Sequence, residues 1–440
     1  MINDAECMEY KRLLIVSHNA LSNTKGNGKI LTSLFCNWPK EKIAQLYFWN
    51  EWPDQTVCER FFRLRDHDIL RANLTGKPAE GAEIDARALG KIISSTDVVS
   101  CKGFLSSMVY RVFNKRTPVA ELIRDAMWRQ SKYVTPKLVK WLDEFRPEVV
   151  FFQGSHMPFA YKMCLWICKR YGAQLQIVLS DDYSFVTNRI SPFAYLNSAR
   201  YIKWFKQGLA KSSGSYAVVP AMKTEYERRY ECGNIFVASN CLEVRPFDDE
   251  EDISGPNLRM LYAGNVGLNR WRALRKLGRC LAKLKNANLE IYTPSPISEK
   301  IKQALTIEGV MSYRGSLGTE ELLQTIKQSN VLVHVESFDR KNMRVTRMSL
   351  STKIPESLMS GRCLLAIGPR GISSIDYLEH HRAALVLSDQ RAKSIREQIV
   401  PIFNAEYRKN TARTAYKLAI QNHDVEKIRK LIWQNAQKTD

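Results

Sequence analysis

The sequence predicts an α/β fold of two consecutive domains, each a parallel sheet covered by helices on both faces. Three observations predict it. Short apolar runs alternate with amphipathic helical patterns along most of the chain, the rhythm of parallel strands joined by helical crossovers. The rhythm breaks once, at Pro246 to Pro256, where Asp248, Asp249, Glu250, Glu251 and Asp252 stand together without a base, and then restarts. The 440 residues also exceed what one hydrophobic core ordinarily serves.

In chain order, Leu13 to Val16 is a strand leading into a small, polar loop, Ser17 to Asn27, and a helix is expected from Lys29 to Asn37. Ala44 to Trp49 is a second strand. Pro147 enters a buried strand ending at Phe152, followed by a helix, Phe159 to Arg170, and a strand, Gln174 to Leu179. Ser215 to Val219, helix Lys223 to Tyr230 and strand Ile235 to Ala238 complete the first half. After the acidic linker, strands are expected at Arg259 to Tyr262, Leu289 to Tyr292, Gly309 to Arg314, Val331 to Val335, Cys363 to Ile367 and Ala383 to Leu387. Helices lie between them at Arg270 to Leu284, Thr319 to Gln328 and Ile354 to Ser360. Thr411 to Gln437 reads as one or two closing helices broken near Asn422 to Asp424. The expected division is 1–245, 246–405 and a helical tail, 406–440.

Composition removes several classes. Hydrophobic residues make up 45 % and charged residues 25 %, which excludes a disordered chain, a collagen-like chain and a polytopic membrane protein. The longest uncharged stretch, Val149 to Tyr161, is far short of the roughly 20 apolar residues of a membrane span. Met1 to Arg12 mixes acids and bases, so no secretory signal is expected. The ten cysteines lack metal-type spacing, and the nearest pair, Cys164 and Cys168, sits in an apolar helical pattern; they read as buried thiols of a reducing cytosol. The net charge of +21 fits nucleic acid, an anionic membrane face or acidic substrates.

Ligands of open parallel sheets sit beyond the carboxyl ends of the strands, and four strand ends carry candidate chemistry. In the first, Gly26, Asn27 and Gly28 precede a helix start that favours anions. Neither a P-loop nor a Gly-x-Gly-x-x-Gly fingerprint is present, because Ile30 follows Lys29 and position 31 is Leu; the same spacing also fits an ordinary loop. In the second, Ala263-Gly264-Asn265 turns toward Arg270 at a helix start, a pairing that suits a diphosphate as well as it suits a structural turn. In the third, Ser351 or Thr352 can cap a helix that tolerates Pro355 in its first turn. Lys353 then lies at the positive helix end, and Glu356 can accept from sugar hydroxyls or simply favour the dipole. The fourth holds His156 after one strand and Asp181 and Asp182 after the next; all three also fit structural roles.

These stretches resemble a GT-B glycosyltransferase, similar to glycosyltransferase family 4, the retaining family that uses nucleotide-diphosphate sugars. The resemblance runs from about Arg12 to Trp433 and is most specific over Leu261 to Trp271, Met311 to Glu336 and Ser349 to Pro369. It implies two facing Rossmann-like domains with a central cleft, the donor nucleotide on the second, the acceptor on the first, and a C-terminal helix crossing back. By position it implies that Asn265 stands near the donor phosphates, where the family often has arginine, and that Arg270 is a second phosphate contact. Ser351, Thr352 and Lys353 then belong to the donor site, and Glu356 holds the ribose hydroxyls. Gly26, Asn27 and Gly28 form the loop near diphosphate and acceptor, and His156 lies near the reacting sugar carbon. Asp181 and Asp182 are candidate acceptor-site acids. The family often has a second glutamate eight positions before the ribose glutamate, but Met348 stands there. Glu336 fills that place if Asp339 to Arg347 is an inserted loop; otherwise the sugar contact comes from Arg347 to Ser351.

The implied chemistry needs no metal or other cofactor. Arg270, Lys353 and helix N-termini can stabilise the leaving diphosphate, and no Asp-x-Asp motif is placed at a strand end. Two acid-free stretches, Val98 to Ala120 and Tyr183 to Thr224, interleave bases such as Lys203 and Lys206 with Tyr201, Trp204 and Phe205. They suit an anionic membrane surface, or a core-facing helix with a solvated basic face. No nucleic-acid reading module is visible. The leading expectation is a cytoplasmic enzyme, peripheral on the inner face of the cell membrane, that extends a glycan or lipid-linked glycan in cell-surface polysaccharide biosynthesis. The rivals are a GT-B-fold nucleotide-sugar 2-epimerase and a non-catalytic GT-B binding protein.

Overall fold

The computed structural model describes residues 9–23, 26–54, 57–85, 117–185, 191–247, 257–284 and 286–438. Most of the expected basic stretch at 98–120 and most of the acidic linker lie outside the described residues. The chain divides into two compact units, Met1–Ala238 with Glu426–Asp440, and Ser239–Val425.

Unit 1 runs β1 (Leu13–Ser17), α1 (Gly26–Phe35), β2 (Ile43–Tyr47), β3 (Arg60–Arg63), α2 (Asp66–Thr75) and β4 (Ala82–Asp85). Three helices follow, α3 (Pro118–Met127), α4 (Gln130–Tyr133) and α5 (Pro136–Phe145). Then come β5 (Val149–Gln153), α6 (Pro158–Tyr171), β6 (Gln174–Leu179), α7 (Pro192–Lys211), β7 (Ser212–Ala217), α8 (Pro220–Tyr230) and β8 (Ile235–Val237). The sheet order is β4-β3-β2-β1-β5-β6-β7-β8, parallel throughout except for β4 against β3. Every residue of β1, β2 and β5 is buried, as strands covered on both faces require.

Helix entry follows local chemistry. Thr135 accepts from Leu138 N at 3.2 Å and Pro136 opens α5, while Thr117 and Pro118 repeat the device at α3. Gly172, at φ 66°, ends α6 in the left-handed region that glycine enters without strain.

Unit 2 runs β9 (Leu258–Ala263), α9 (Arg270–Leu284), β10 (Ala287–Tyr292), α10 (Glu299–Ala304), β11 (Met311–Gly315), α11 (Thr319–Lys327) and β12 (Val331–Val335). It continues with α12 (Arg340–Thr346), α13 (Lys353–Leu358), β13 (Cys363–Ile367), α14 (Ser373–His380), β14 (Leu385–Leu387), α15 (Ala392–Gln398) and α16 (Ala405–Asn422). Its sheet, β11-β10-β9-β12-β13-β14, is wholly parallel. Helix α9 shows why it packs as it does: Ala273, Leu274, Leu277 and Leu281 are buried, while Arg272, Lys276 and Arg279 point outward.

Of the two closing helices, α16 packs on β13 in unit 2. The last helix, α17 (Val425–Gln437), groups with unit 1 from Glu426 onward. There Asn435 Nδ2 donates to the Tyr216 hydroxyl at 3.1 Å, Tyr216 donates to Gln176 Oε1 at 3.0 Å, and Arg429 Nε donates to Ser33 O at 2.9 Å.

Three local expectations are corrected. Helix α1 begins at Gly26, not Lys29. Strand β7 begins at Ser212, not Ser215: the Ser-Ser-Gly-Ser run resembles a turn, but Ser212 Oγ bonds Leu209 O at 2.9 Å and Gly214 leaves room for the Asn435 side chain. The stretch Asp339 to Arg347 is no loop but helix α12, with Asp339 accepting from Lys341 N at 3.0 Å.

Candidate functional site

Each sheet has one place where the direction of strand addition reverses, and there the loops diverge and leave a crevice at the carboxyl edge. In unit 2 it lies between β9 and β12; in unit 1, between β1 and β5.

The unit 2 edge gathers charge. Glu336 follows β12, is 2 % exposed, and its backbone N–H is tied to Ile367 O at 2.8 Å. Its Oε2 lies 2.9 Å from Nη2 of Arg270, the first residue of α9, and its Oε1 lies 3.4 Å from His334 Nε2. Burial alone would push this carboxyl up; His334 and Arg270 outweigh it and hold it below the usual carboxylate range. Arg270 Nε is buried without a hydrogen-bond partner among the described residues. Lys353, at the start of α13, donates from Nζ to Ala263 O, the last carbonyl of β9. Burial lowers its pKa, and Glu356 acts the other way.

The connecting loop is braced. Tyr262 donates to Asn265 O at 2.8 Å, and Asn342 Nδ2 donates to Leu268 O at 2.7 Å. Asn265 folds its carboxamide back onto Gly267 N at 2.7 Å, so the side chain given to the donor phosphates here shapes its own turn. Ser351 Oγ accepts from Lys353 N at 3.4 Å, Thr352 is exposed without a side-chain cap bond, and Glu356 is exposed on α13. Helix α13 has six residues, so its dipole is short. Met348 is buried in the core, 3 % exposed.

In unit 1 the loop after β1 is pinned. Gln45, fully buried, donates to Ser17 Oγ at 2.7 Å and Asn19 O at 3.0 Å, and accepts from Leu21 N at 2.9 Å. Glu51 accepts from Ala20 N at 2.7 Å, and Ser22 N bonds Thr32 Oγ1 at 3.2 Å. Gly28 lies under this loop: a Cβ there would meet Ala20 O at 2.4 Å. Gly26, at φ +34°, and Asn27 are exposed in the first turn of α1.

His156 stands half-buried between β5 and α6, its ring 5.7 Å from that of Tyr183, and Tyr183 donates to Asp181 at 3.1 Å. Asp182 turns inward: 5 % exposed, its Oδ1 accepts from Ser184 N at 3.0 Å and the Tyr226 hydroxyl at 2.8 Å. That carboxylate holds the turn after β6.

One absence expected from the sequence is corrected. Asp66-His67-Asp68 is an Asp-x-Asp motif in the first turn of α2, separated by two residues from β3, a strand the sequence pattern did not reveal. Both carboxylates are committed: Asp66 to Arg124 at 2.7 Å and Trp128 Nε1 at 2.8 Å, Asp68 to Arg65 at 2.9 Å. Among the described residues no three His, Cys, Asp or Glu side chains are grouped to hold a metal ion. His334, Gln45 and Glu51 were absent from the sequence candidates, because each lies within or near a strand and carries no motif.

No family model matches the chain, and no curated protein matches it by sequence. Solved structures do match by shape. A TarM variant from S. aureus, in complex with fondaparinux, alpha-GlcNAc-glycerol and UDP, superposes with a TM-score of 0.59 at 11 % identity, covering 97 % of this chain and 100 % of that one. An alpha,alpha-trehalose-phosphate synthase (UDP-forming) from Burkholderia xenovorans, in complex with glucose-6-phosphate, gives 0.59 at 10 % identity over 97 % and 100 %. WaaG, a glycosyltransferase involved in lipopolysaccharide biosynthesis, gives 0.56 at 10 % identity over 97 % and 100 %. Two α/β units with parallel sheets, matching these chains along nearly their whole length, give this protein the GT-B fold of glycosyltransferases.

Proposed function

We propose that the protein is a glycosyltransferase that takes a sugar from a nucleotide-diphosphate donor held by unit 2. One observation carries the reading: Arg270 and Lys353, each fixed by a backbone or buried partner, meet the carboxyl ends of β9 and β12 at the sheet's switch point. Two anchored cations there suit a diphosphate, whose charge grows as the glycosidic bond breaks. In this reading Glu336 orients Arg270, Glu356 accepts from the ribose hydroxyls, and Ser351 and Thr352 line the approach to Lys353. His156, the loop with Gly26, Asn27 and Gly28, and Asp181 serve the acceptor side. Retention of configuration, metal independence and a glycan or lipid-linked glycan acceptor belong to the same proposal.

Thermal-shift titration with UDP-, GDP- and dTDP-sugars tests it. One nucleotide series should raise the melting temperature, Lys353→Ala should weaken that nucleotide at least tenfold, about 1.4 kcal/mol, and Glu356→Ala should weaken nucleosides more than inorganic diphosphate. No shift with any of the three sinks the donor site.

A peripheral membrane location has its own support. The first turns of α7 expose Phe193 (52 %), Tyr195 (76 %) and Leu196 (48 %) ahead of Lys203 and Lys206. Among the described residues no helix is long and apolar enough to cross a membrane. Reversing Lys203 and Lys206 to Glu should release the protein from anionic liposomes at low salt; equal binding by both forms refutes the surface.

A further inference from the structure

We propose that Arg63, the last residue of β3, and Trp52, in the loop after β2, form a subsite for an anionic sugar, so that the acceptor carries a phosphate or carboxylate. The acceptor part of this statement rests on the glycosyltransferase reading above.

Arg63 ends β3, in register with Tyr47 of β2, which is in register with Ser17 of β1. All three therefore belong to the edge where ligands of parallel sheets bind. Arg63 is a buried cation, 8 % exposed, and its Nε has no hydrogen-bond partner among the described residues. Its contacts are with neutral groups: Nη1 reaches Glu51 O at 3.4 Å, the Tyr47 hydroxyl is a side-chain hydrogen-bond partner, and the guanidinium lies 4.6 Å from the Trp52 ring centre.

Among the described residues no acid forms an ion pair with it, and Asp68, which attracts it at longer range, is offset by Arg65. Asp68 is taken by Arg65, Asp66 by Arg124 and Trp128, and the Glu51 carboxylate by Ala20 N and Asn19 Nδ2. The nearby phenol, Tyr47, gives its hydrogen to Glu51 O at 2.9 Å and, with burial pushing its pKa up, carries no charge. A buried charge without a counter-charge is strongly unfavourable, and a cation–π contact returns only part of the cost. Fold stability alone gives no reason to keep an arginine here, whereas a ligand anion completes it: the planar guanidinium fork matches a carboxylate or phosphate.

Trp52 supplies the second half. It is 41 % exposed, a large aromatic left at the surface with the guanidinium on its ring. A flat apolar ring beside a cation suits a molecule with an apolar face and one charged substituent, as an acidic pyranose has.

The test uses the full chain as wild type, Arg63→Met and Trp52→Ala. Each is titrated calorimetrically with glucose-6-phosphate, glucuronate and glucose, and in parallel with UDP, GDP and dTDP; melting temperatures are recorded without ligand. Wild type should bind one acidic sugar at least tenfold more tightly than glucose, and which acid wins separates phosphate from carboxylate. Arg63→Met should lose that preference yet melt no lower than wild type, since an uncompensated charge has been removed. Trp52→Ala should weaken all three sugars, and nucleotide affinities should stay unchanged in both variants. No tenfold preference in wild type, or its survival in Arg63→Met, overturns the proposal. A lower melting temperature for Arg63→Met marks the arginine as a structural brace and also overturns it. Nucleotide binding without acidic-sugar binding defeats this subsite alone, whereas the reverse defeats the glycosyltransferase reading and leaves the subsite standing.

Discussion

Glu336 shows how one buried side chain ties a strand end to a neighbouring helix. Its carboxylate is buried against Arg270 and His334, and removing one member of a buried pair strands the other charge. Glu336→Ala should therefore destabilise unit 2 by about 3 kcal/mol, read in chemical denaturation, and weaken nucleotide binding through a displaced Arg270. The pH dependence follows from the direction of the shift. Because the folded carboxyl lies below its unfolded value, the stabilisation is present above the ordinary carboxylate pKa and is lost as pH falls through the depressed one. Wild type should lose more stability than Glu336→Gln over that acid range; parallel curves would show that the pair contributes nothing. The ion pair itself was not legible. The sequence marks Arg270 by its place after a glycine turn and Glu336 by its place after a strand, but 66 positions separate them. Only the adjacency of β9 and β12 brings them together.

At the scale of elements, the loop after β1 and helix α1 form one device. Gln45, Glu51 and Thr32 satisfy the loop's backbone, and Gly28 lets the helix pass beneath it. A methyl at position 28 has nowhere to go, since Ala20 O is backbone and the helix cannot retreat. Gly28→Ala should cost about 1–3 kcal/mol by overpacking, whereas Gly26→Ala meets open space and is opposed only by its φ of +34°. Equal melting temperatures for Gly28→Ala and wild type would contradict the close approach. The sequence marked Gly26 and Gly28 as positions where the backbone can approach a ligand closely; a close approach is seen at Gly28 and not at Gly26. It could not say that the approaching group is the protein's own Ala20. Strands β3 and β4 and the committed Asp66-His67-Asp68 motif were missed because Arg60-Phe-Phe-Arg is short and flanked by charge.

At the scale of the whole molecule, the chain passes between its units at 238–239 and 425–426, and the flanking segments meet within unit 2. Leu242 N donates to His423 O at 2.9 Å, and Val425 N donates to Leu242 O at 3.1 Å. His423 is fully buried there. Its Nδ1 donates to Asn240 O at 2.6 Å, and Nε2 accepts from the Tyr377 hydroxyl at 3.0 Å, which itself accepts from Asn422 Nδ2 at 3.1 Å. That arrangement fixes the neutral tautomer, and burial, with His381 nearby, lowers the pKa to about 4 against the Asn240 contact. The unfolded chain binds the proton near pH 6.5 and the folded chain near 4, so stability rises with pH between those values and is flat above them. The span corresponds to roughly 3 kcal/mol at its acid end. His423→Gln should flatten that slope in melting curves between pH 4 and 6.5; an unchanged slope would place the titration elsewhere.

By itself the sequence determined the parallel strands on both sides of each sheet's switch point, the restart after the acidic linker, and the strand-end stretches that carry charge. Those features are local, because alternation of apolar runs with amphipathic helices and glycine at a turn are enforced within a few residues. The tertiary structure decided what those residues do. It set β9 beside β12, paired Arg270 with Glu336, turned Asp182 and the carboxamide of Asn265 to structural duty, buried Arg63 beside Trp52 with no ion pair among the described residues, and sent α17 rather than α16 to unit 1. Strand order and charge pairing are relations between residues tens to hundreds of positions apart, and only packing of the cores fixes which of them meet.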